Sequence, residues 1–317
     1  MRAFLFLFFF LVSSLEASLP PDSKEGAFSW LSEKHRSWLQ EQDGLPERPD
    51  EEKVSRIFKK TKRLSKHIYK PATEALRPEN KNKNVFLSIL PYEETRTLRG
   101  LPGFYINAND ITTPQQAYIA TQCPTSSDVD DFWRTVLLTE TPTVVALLMP
   151  QDNNGKHAAY WIPDFLPRTV DGWSVSLAEE ACVLEQSKAS PDQRIVLRTF
   201  LAVGQEEKRE IFHLHYENWP DFGAPDPGLF SSFLSLADGL HPQKARPLLV
   251  HCAAGVGRTG VFIAAHSLRK ELFAGEGPIN IPKRVLELRL QRPKMVSSTR
   301  QFLAVYLALC SVSAGQR

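Results

Sequence analysis

This chain has little cysteine and no clustered metal ligands. Its four cysteines form no Cys-x-x-Cys pair, and its eight histidines form neither a His-x-x-x-His nor a His-Glu-x-x-His group. Metal sites in proteins commonly use such spacings, so we predict no metal and no other cofactor. Three cysteines remain beside Cys252, and this odd number favours inert, buried thiols over a disulfide framework.

The chain also lacks a charge excess, internal repeats and a long hydrophobic run. A net charge of +2 does not indicate a nucleic-acid partner, and 42% hydrophobic and 23% charged residues are ordinary for a globular domain. The most apolar segment, residues 3–12, is shorter than the roughly 20 residues that a membrane helix needs. Arg2 precedes it and small residues, including Ala17, follow it. This pattern predicts a signal peptide over residues 1–17 and export of the protein, with a membrane anchor as the alternative.

The most informative segment is residues 250–260, V-H-C-A-A-G-V-G-R-T-G. The apolar run that ends at Val250 predicts a buried strand, and residues 261–273 predict a helix. The loop between them places successive backbone N–H groups at a helix N-terminus, where they form a cradle for an anion such as phosphate. The positive electrostatic potential at this helix N-terminus also favours the thiolate form of Cys252. Arg258 can complete the cradle by donating hydrogen bonds to two phosphate oxygens.

Two other interpretations of this segment have less support. A cysteine near glycines is commonly a small buried hydrophobic residue, but here the strand, the glycines, Arg258 and Thr259 all fit one geometry. A Walker-type loop needs Gly-Lys-Ser/Thr after its glycines and has no use for a cysteine. For His251 two roles stay open: it orients the loop, or it packs as a hydrogen-bonded core histidine.

The segment is similar to the catalytic loop of the cysteine-based protein tyrosine phosphatases, and other motifs follow in the family's order. Residues 219–225, W-P-D-F-G-A-P, resemble the mobile loop that carries the family's general acid. Because the matches are collinear over most of residues 80–309, the chain is identified as a member of this family, of a secreted, bacterial type. The further matches are residues 105–109, 118–122, 131–133, 160–161, 291–293 and 295–296, together with Lys156.

The resemblance implies a metal-independent phosphatase that works through a phosphocysteine. The thiolate attacks phosphorus, while a carboxylic acid protonates the departing oxygen and afterwards activates water. The arginine and the loop amides hold the phosphoryl charge. The predicted catalytic residues are Cys252, Arg258 and Asp221. The predicted substrate-binding residues are Ala253, Ala254, Gly255, Val256, Gly257, Arg258, Phe86 and Gln301, and the predicted supporting residues are His251, Thr259, Lys156 and Trp219.

Several positions depart from the family pattern. Phe86 stands where the family has a tyrosine that walls a deep pocket, so the stacking face survives without the hydroxyl. Ser88 replaces an aspartate that holds the peptide backbone, which predicts a weaker or different grip on peptides. Gln151 replaces a glutamate that buttresses the arginine, and Ser297 replaces a glutamine that positions water, a task that Gln301 could share. We therefore expect slow turnover, with hydrolysis of the phosphocysteine as the impaired step.

Cys123 is a further departure, because it replaces a glycine in the family's Thr-Gln-Gly-Pro motif, close to the catalytic floor. A thiol at this position could trap Cys252 in a reversible disulfide. The alternative is that Cys123, like the other spare cysteines, is buried and inert.

The expected fold class is α/β: a single domain with a central, twisted mixed sheet flanked by helices and a phosphate-binding loop between a strand and a helix. Residues 143–149 and Arg194–Val203 have the apolar content of strands. A strand containing His213 and His215 leads to Trp219 and so delivers Asp221 to the sheet edge where Cys252 lies.

The chain divides into three predicted segments. Residues 1–17 are the signal peptide, residues 18–50 a polar extension that could hold a short helix, and residues 51–313 the protein tyrosine phosphatase catalytic domain. Residues 51–70 have the pattern of an amphipathic helix rich in Lys and Arg. Its basic face either contacts an anionic membrane or acidic substrates weakly, or is simply solvated.

Three functions stay open at this point. Hydrolysis of phosphotyrosine in proteins is favoured by Phe86 and by the complete catalytic set. A phosphoinositide or dual-specificity phosphatase is suggested by Ser88 and the basic helix, and a phosphotyrosine-binding pseudophosphatase by Gln151 and Ser297. We expect a monomer whose partners are phosphotyrosine proteins, including those of another organism, and no nucleic acid.

Overall fold

The computed structural model describes residues 28–148, 156–185, 193–241 and 246–315. The predicted signal peptide lies outside the described residues, as do Gln151 and the end of the strand predicted at 143–149. Two compact units are present, Met1–Trp38 and Leu39–Arg317. The first helix, α1 (Glu33–Gln40), falls within the predicted polar extension.

A mixed sheet organises the described part of the larger unit. Its strands are β1 Ala108–Thr112, β2 Ala117–Gln122, β3 Thr143–Ala146, β4 Arg168–Val170, β5 Trp173–Glu185, β6 Arg194–Val203, β7 Lys208–Glu217 and β8 Leu248–Cys252. The spatial order is β1-β2-β8-β3-β7-β6-β5-β4. Neighbours from β2 to β7 are parallel, and the remaining pairs are antiparallel. The strand that ends at Cys252 is therefore central, with a parallel neighbour on each side.

Helices cover both faces of this sheet. They are α2 Glu51–Leu64, α3 Val129–Leu138, α4 Pro227–Leu240, α5 Gly257–Ala274, α6 Ile281–Gln291 and α7 Thr299–Gly315. On one face α3 packs the buried rings of Phe132 and Trp133. The other five contribute to the hydrophobic core of the opposite face. The expected α/β fold, with a loop between a strand and a helix, is confirmed.

Strand β8 shows how the pleat divides its side chains between the two cores. Every residue of β8 is buried, as expected for a parallel strand covered on both faces. Val250 and Cys252 belong to the core that contains α5. Leu249 belongs to the core that contains α3, and His251 reaches the Tyr160 ring on that side. Alternate residues therefore point to opposite faces, with consequences for both His251 and Cys123.

The amphipathic helix predicted over residues 51–70 is shorter than expected. Asp50 caps its start by accepting hydrogen bonds from Glu52 N and Lys53 N. α2 ends at Leu64, and a 3₁₀ turn follows at Ser65–His67. Ser65 Oγ donates to Lys62 O and accepts from Arg289 Nη1, so a contact from α6 holds the chain where the helix stops.

Residues 39–46, which were predicted as part of the polar extension, hydrogen-bond to the body of the larger unit. Asn280 Nδ2 donates to Leu39 O at 2.6 Å, and Gly44 N donates to Ile279 O at 2.8 Å. Cys310 Sγ donates to Pro46 O, which agrees with an inert thiol. Within the described ranges, no helix is both long and apolar enough to cross a bilayer.

Candidate active site

The parallel strands β2, β8, β3 and β7 all end at the same edge of the sheet. The carboxyl edge of parallel strands is where α/β proteins commonly bind ligands. Cys252 ends β8, and the segment with Asp221 follows β7. The chain after β3 enters residues 149–155, so the predicted role of Gln151 concerns a position outside the described residues. The topology thus brings the two predicted reactive groups to one edge.

The Cys252 loop, residues 252–258, joins β8 to the start of α5. Cys252 pairs with Gln122 of β2 and is 3% exposed. α5 begins at Gly257, and Val256 at the N-cap supplies no side-chain acceptor. The first N–H groups of the helix therefore have no side-chain cap, and their field stabilises a negative charge at the loop, a thiolate included.

Gly255 allows the loop to pass directly against the end of β2. Its φ is +67°, in the left-handed region that side chains disfavour. A Cβ built on it would lie 2.1 Å from Thr121 O. No other residue fits this position without moving the backbone of β2, so the tight curl of the loop depends on this glycine.

Arg292 fixes the outer side of the Cys252 loop. This fully buried side chain donates from Nε to Gly255 O at 2.8 Å and from Nη2 to Ala254 O at 3.2 Å. Its Nη1 and Nη2 also donate to Asn109 Oδ1 and Asn107 Oδ1. Burial lowers the pKa of Arg292 to about 10, so the guanidinium stays charged at neutral pH. Because it binds the loop carbonyls, the loop amides are left to face the opposite way.

Asp221 lies beside Arg258. Arg258 is fully buried, and its Nη1 donates to Trp219 O at 2.9 Å. Its Nη2 is 3.5 Å from Asp221 Oδ1, and the Asp221 side chain is 49% exposed. The acid therefore lies at the mouth of the site, in contact with the residue predicted to hold the phosphoryl group.

The Asp221 loop, residues 218–224, is anchored by a buried tryptophan. Trp219 is fully buried between Tyr216 and Phe230, and its Nε1 donates to Gly223 O at 3.3 Å. Phe222 N donates to Asp221 Oδ1 at 3.1 Å. These contacts fix the base of the loop and orient the carboxyl group at its tip.

His251 points away from Cys252, into a buried network. Its Nε2 is 2.7 Å from Tyr160 Oη, which is also 3.0 Å from His213 Nε2. Burial is the main cause that lowers the pKa of His251 to about 3, so the ring is neutral at physiological pH. Burial likewise raises the pKa of Tyr160 well above its usual value. Of the two roles left open, hydrogen-bonded packing is the one these contacts support, and His251 brings no positive charge to the thiolate.

Phe86, the predicted aromatic wall, contacts the residue that follows Lys156. Phe86 is half-buried against the core that contains Cys252. Its ring stacks on His157, with centroids 6.0 Å apart and planes inclined by 26°. Lys156, the neighbour of His157, is exposed. The stacking partner His157 was not singled out by the sequence analysis.

Gln301 and Thr259 are both buried beside the loop. Gln301 Oε1 accepts from Ser297 N at 2.8 Å, and a Cβ on Gly257 would lie 2.8 Å from Gln301 Nε2. Among the described residues, neither Gln301 Nε2 nor Thr259 Oγ1 has a hydrogen-bond partner. Each is therefore a donor without an internal acceptor, directly behind the predicted phosphate cradle.

A sequence model of the protein-tyrosine phosphatase family matches residues 80–311. The chain belongs to this family. Human receptor-type tyrosine-protein phosphatase C is 33% identical over 251 residues, which cover 75% of this chain and 18% of that protein. Mouse tyrosine-protein phosphatase non-receptor type 18 is 35% identical over 245 residues, which cover 72% of this chain and 51% of that protein.

Solved structures agree with this assignment. A structure of PTPN18 in complex with HER2 phosphopeptides superposes with a TM-score of 0.75 at 28% identity, covering 88% of this chain and 99% of that chain. The chain spans about a fifth to a half of the length of the two curated relatives named above. Both relatives are mammalian, so they lend no support to the expected bacterial type.

In this protein-tyrosine phosphatase chain, the proposed disulfide trap at Cys123 does not fit the geometry. Cys123 follows Gln122, the residue that pairs with Cys252, so the pleat turns its side chain to the other face. Its Sγ donates to Ala158 O at 3.6 Å and lies in the core with Tyr160, whereas Cys252 lies in the opposite core. The two sulfurs are separated by the sheet, and Cys123 is a packing residue.

Arg292 is the main site residue that the sequence analysis did not select. It lay within a noted family motif, as did Asn107 and Asn109, yet nothing local in the sequence links them. Two asparagines at alternate positions beside a strand were the available signal, because such residues face the same side of a sheet. Elsewhere in the described ranges, no group of three or more His, Cys, Asp or Glu side chains is placed to hold a metal ion.

Replacing Arg292 by lysine should damage both folding and turnover. Lysine keeps the charge but has no planar fork and only three N–H donors, so at least one of the four buried acceptors loses its donor. We expect the free energy of unfolding to fall by about 2–4 kcal/mol. We also expect kcat/KM for an aryl phosphate to fall by roughly tenfold or more, as the loop amides lose their fixed direction. Urea unfolding and steady-state kinetics measure the two effects, and the exposed Arg56→Lys is the control. Unchanged kinetics in Arg292→Lys would show that the loop keeps its shape without the fork.

Proposed function

We propose that this chain hydrolyses phosphotyrosine in proteins through a phosphocysteine at Cys252. The observation that carries the proposal is the meeting, at one sheet edge, of a cysteine under a helix N-terminus with an arginine and a carboxyl group. Phe86 beside this edge offers an aromatic wall for the tyrosine ring. The structure of PTPN18 in complex with HER2 phosphopeptides supports the same substrate class.

In the first step, Cys252 Sγ attacks phosphorus as a thiolate and the bond from phosphorus to the tyrosyl oxygen breaks. Asp221, in its protonated form, gives its proton to that oxygen, because a phenol with a pKa of about 10 is a better leaving group than its anion. The equatorial oxygens are held by the amides of residues 253–258 and by the fork of Arg258. The protein leaves with an unphosphorylated tyrosine side chain, and the phosphoryl group stays on sulfur.

In the second step, water attacks the phosphocysteine and loses a proton to the Asp221 carboxylate. The sulfur–phosphorus bond breaks, and Cys252 departs as a thiolate. The buried hydroxyl of Thr259 is suited to donate to the departing sulfur, since it has no acceptor among the described residues. Gln301 Nε2 is likewise suited to hold the attacking water or a phosphoryl oxygen, the task that Ser297 is too short to perform.

The substrate class is tested with one panel. The protein is assayed in EDTA against a phosphotyrosine peptide, the matching phosphoserine peptide and a phosphoinositide. Release of phosphate from the first substrate alone supports the proposal. A preference for the phosphoinositide would favour the lipid or dual-specificity alternative, and tight phosphotyrosine binding without turnover would favour the pseudophosphatase.

Hydrolysis of the phosphocysteine is expected to limit the rate. Ser297 stands at the position of a water-binding glutamine, so the second step loses a positioning group while the first keeps its machinery. Rapid-mixing experiments should therefore show a burst of released phenol, of roughly one equivalent, before a slower steady state. Ser297→Gln should raise the steady-state rate and shrink the burst. A constant rate from the first turnover onward would contradict this expectation.

Export through a signal peptide over residues 1–17 remains a proposal, supported by the basic, apolar and small-residue order of that segment. N-terminal sequencing of secreted protein would detect cleavage after Ala17. We also retain residues 51–313 as the catalytic domain. The monomeric state, the bacterial type, substrates from another organism and a weak contact of α2 with anionic membrane stay predictions. For the last of these, the exposed cations of α2 and the turn after it include Lys53, Arg56, Lys59, Lys62, Arg63 and Lys66.

A further inference from the structure

Ser298 lies where the start of α7 meets the Asp221 loop. Its Oγ donates to Phe222 O at 3.0 Å and accepts from Gln301 N at 3.2 Å. A hydroxyl group has one proton and two lone pairs, so it can form both bonds at once. This side chain therefore caps α7 and, in the same geometry, holds the residue that directly follows Asp221.

The Asp221 loop needs such a contact because its backbone is strained. Phe222 has a φ of +56°, which is unfavourable for a bulky side chain, and Asn218 has a φ of +63°. Two left-handed residues thus bracket the segment that carries the acid. Such conformations persist only where surrounding contacts hold them. The Phe222 ring is 62% exposed and contributes little packing. The hydrogen bond from Ser298 to the Phe222 carbonyl is therefore more important for holding this conformation.

Two further contacts act at the base of the loop. Arg258 Nη1 holds Trp219 O, and Trp219 Nε1 holds Gly223 O. The Ser298 bond is made at the tip, one residue from the carboxyl group. It joins the loop to α7, which also carries Gln301 beside the Cys252 loop.

We propose that Ser298 is a positioning residue that latches the Asp221 loop over Cys252. With the bond formed, the carboxyl group is held beside Arg258, where a leaving oxygen would lie. Without it, the strained loop spends more time in other conformations, and fewer attacks on phosphorus find the acid in place. The inference rests on the proposed function, and it adds a residue that acts through Asp221 and touches neither substrate nor phosphate.

Three substitutions separate the latch from the helix cap. Ser298→Ala removes both hydrogen bonds. Ser298→Asp keeps an N-cap acceptor but at neutral pH has no proton to donate to Phe222 O. Ser298→Thr keeps both. Asp50→Ala is the matched control, because it removes the N-cap of α2, which caps a different helix.

The kinetic measurement is the ratio of kcat/KM for phosphotyrosine to kcat/KM for an aryl phosphate whose phenol is strongly acidic, because kcat/KM reports the first step even where hydrolysis of the phosphocysteine limits kcat. A poor leaving group needs the acid, whereas an acidic phenol leaves without it. We expect the ratio to fall by about five- to tenfold in Ser298→Ala and Ser298→Asp, the size of one neutral hydrogen bond. Ser298→Thr should restore it, and Asp50→Ala should leave it unchanged. A wild-type ratio in Ser298→Asp would overturn the latch and leave only a helix cap.

A second measurement does not depend on turnover. Deuterium uptake by residues 219–223, followed by mass spectrometry, should rise severalfold in Ser298→Ala and Ser298→Asp and stay at the wild-type level in Ser298→Thr. Equal uptake in all four proteins would overturn the proposal. If the wild-type protein turned over neither substrate, the proposed function would fail, and the uptake would still decide whether Ser298 holds the loop.

Discussion

Cys252→Ser should abolish turnover while leaving phosphate capture largely intact. The loop amides, Arg258 and the Arg292 fork are unchanged, so a phosphotyrosine peptide should bind within a few-fold of the wild-type affinity. The serine hydroxyl, in contrast, has no base to activate it, because His251 faces the opposite side of the sheet. Loss of a covalent nucleophile commonly costs at least about 10⁴-fold in kcat.

Isothermal titration with the peptide and a phosphate-release assay separate the two effects. Cys182→Ser, at an exposed position on β5, is the matched control and should keep wild-type kinetics. If Cys252→Ser kept more than a trace of phosphatase activity, the mechanism through a phosphocysteine would be excluded. Loss of binding together with activity would show that the sulfur also shapes the cradle.

Asp221→Asn should be the next most damaging substitution. The amide preserves the size of the side chain but cannot protonate a leaving group, so kcat/KM for phosphotyrosine should fall by roughly 10²–10⁴-fold.

An activated aryl phosphate provides the internal check, because its phenol leaves without a proton. Its kcat/KM should fall far less than that of phosphotyrosine in Asp221→Asn, because kcat/KM reports the first step, in which the phenol leaves. The exposed Asp164→Asn should behave as the wild type with both substrates. Equal losses for the two substrates would mean that Asp221 acts by charge or shape rather than as an acid.

The sequence predicted those parts of the site that are local in the chain. The apolar run that ends at Val250 predicted the strand found at Leu248–Cys252, and residues 261–273 predicted the helix, which begins earlier, at Gly257. Both predictions depend on one continuous pattern of apolar residues and glycines. Arg194–Val203 was likewise predicted at its observed limits, because an apolar, β-branched run needs no distant partner to be identified. Secondary structure is predicted well from the sequence where a segment's own residues determine its conformation.

The remaining parts depended on contacts that the sequence does not display. α2 ends at Leu64, next to a hydrogen bond that Arg289, far along the chain, donates to Ser65 Oγ. The Cys123 trap was wrong because a motif shows nearness in sequence but not the face of the pleat to which a side chain points. The strain at Phe222 and its contact with Ser298 were likewise invisible in the sequence. Phenylalanine rarely adopts a positive φ, so its residue type gave no reason to expect one here.

The Arg292 fork also has a consequence for how the active thiol arises during folding. Its bonds to Asn109 and Asn107 close loops of 183 and 185 residues. Contacts of such long range carry the largest chain-closure entropy and tend to form slowly. The catalytic loop can therefore be completed only after nearly the whole domain has been synthesised. A nascent or truncated chain that ends before α6 should lack the contacts that order the Cys252 loop, and phosphatase activity should appear only with the last tenth of the polypeptide.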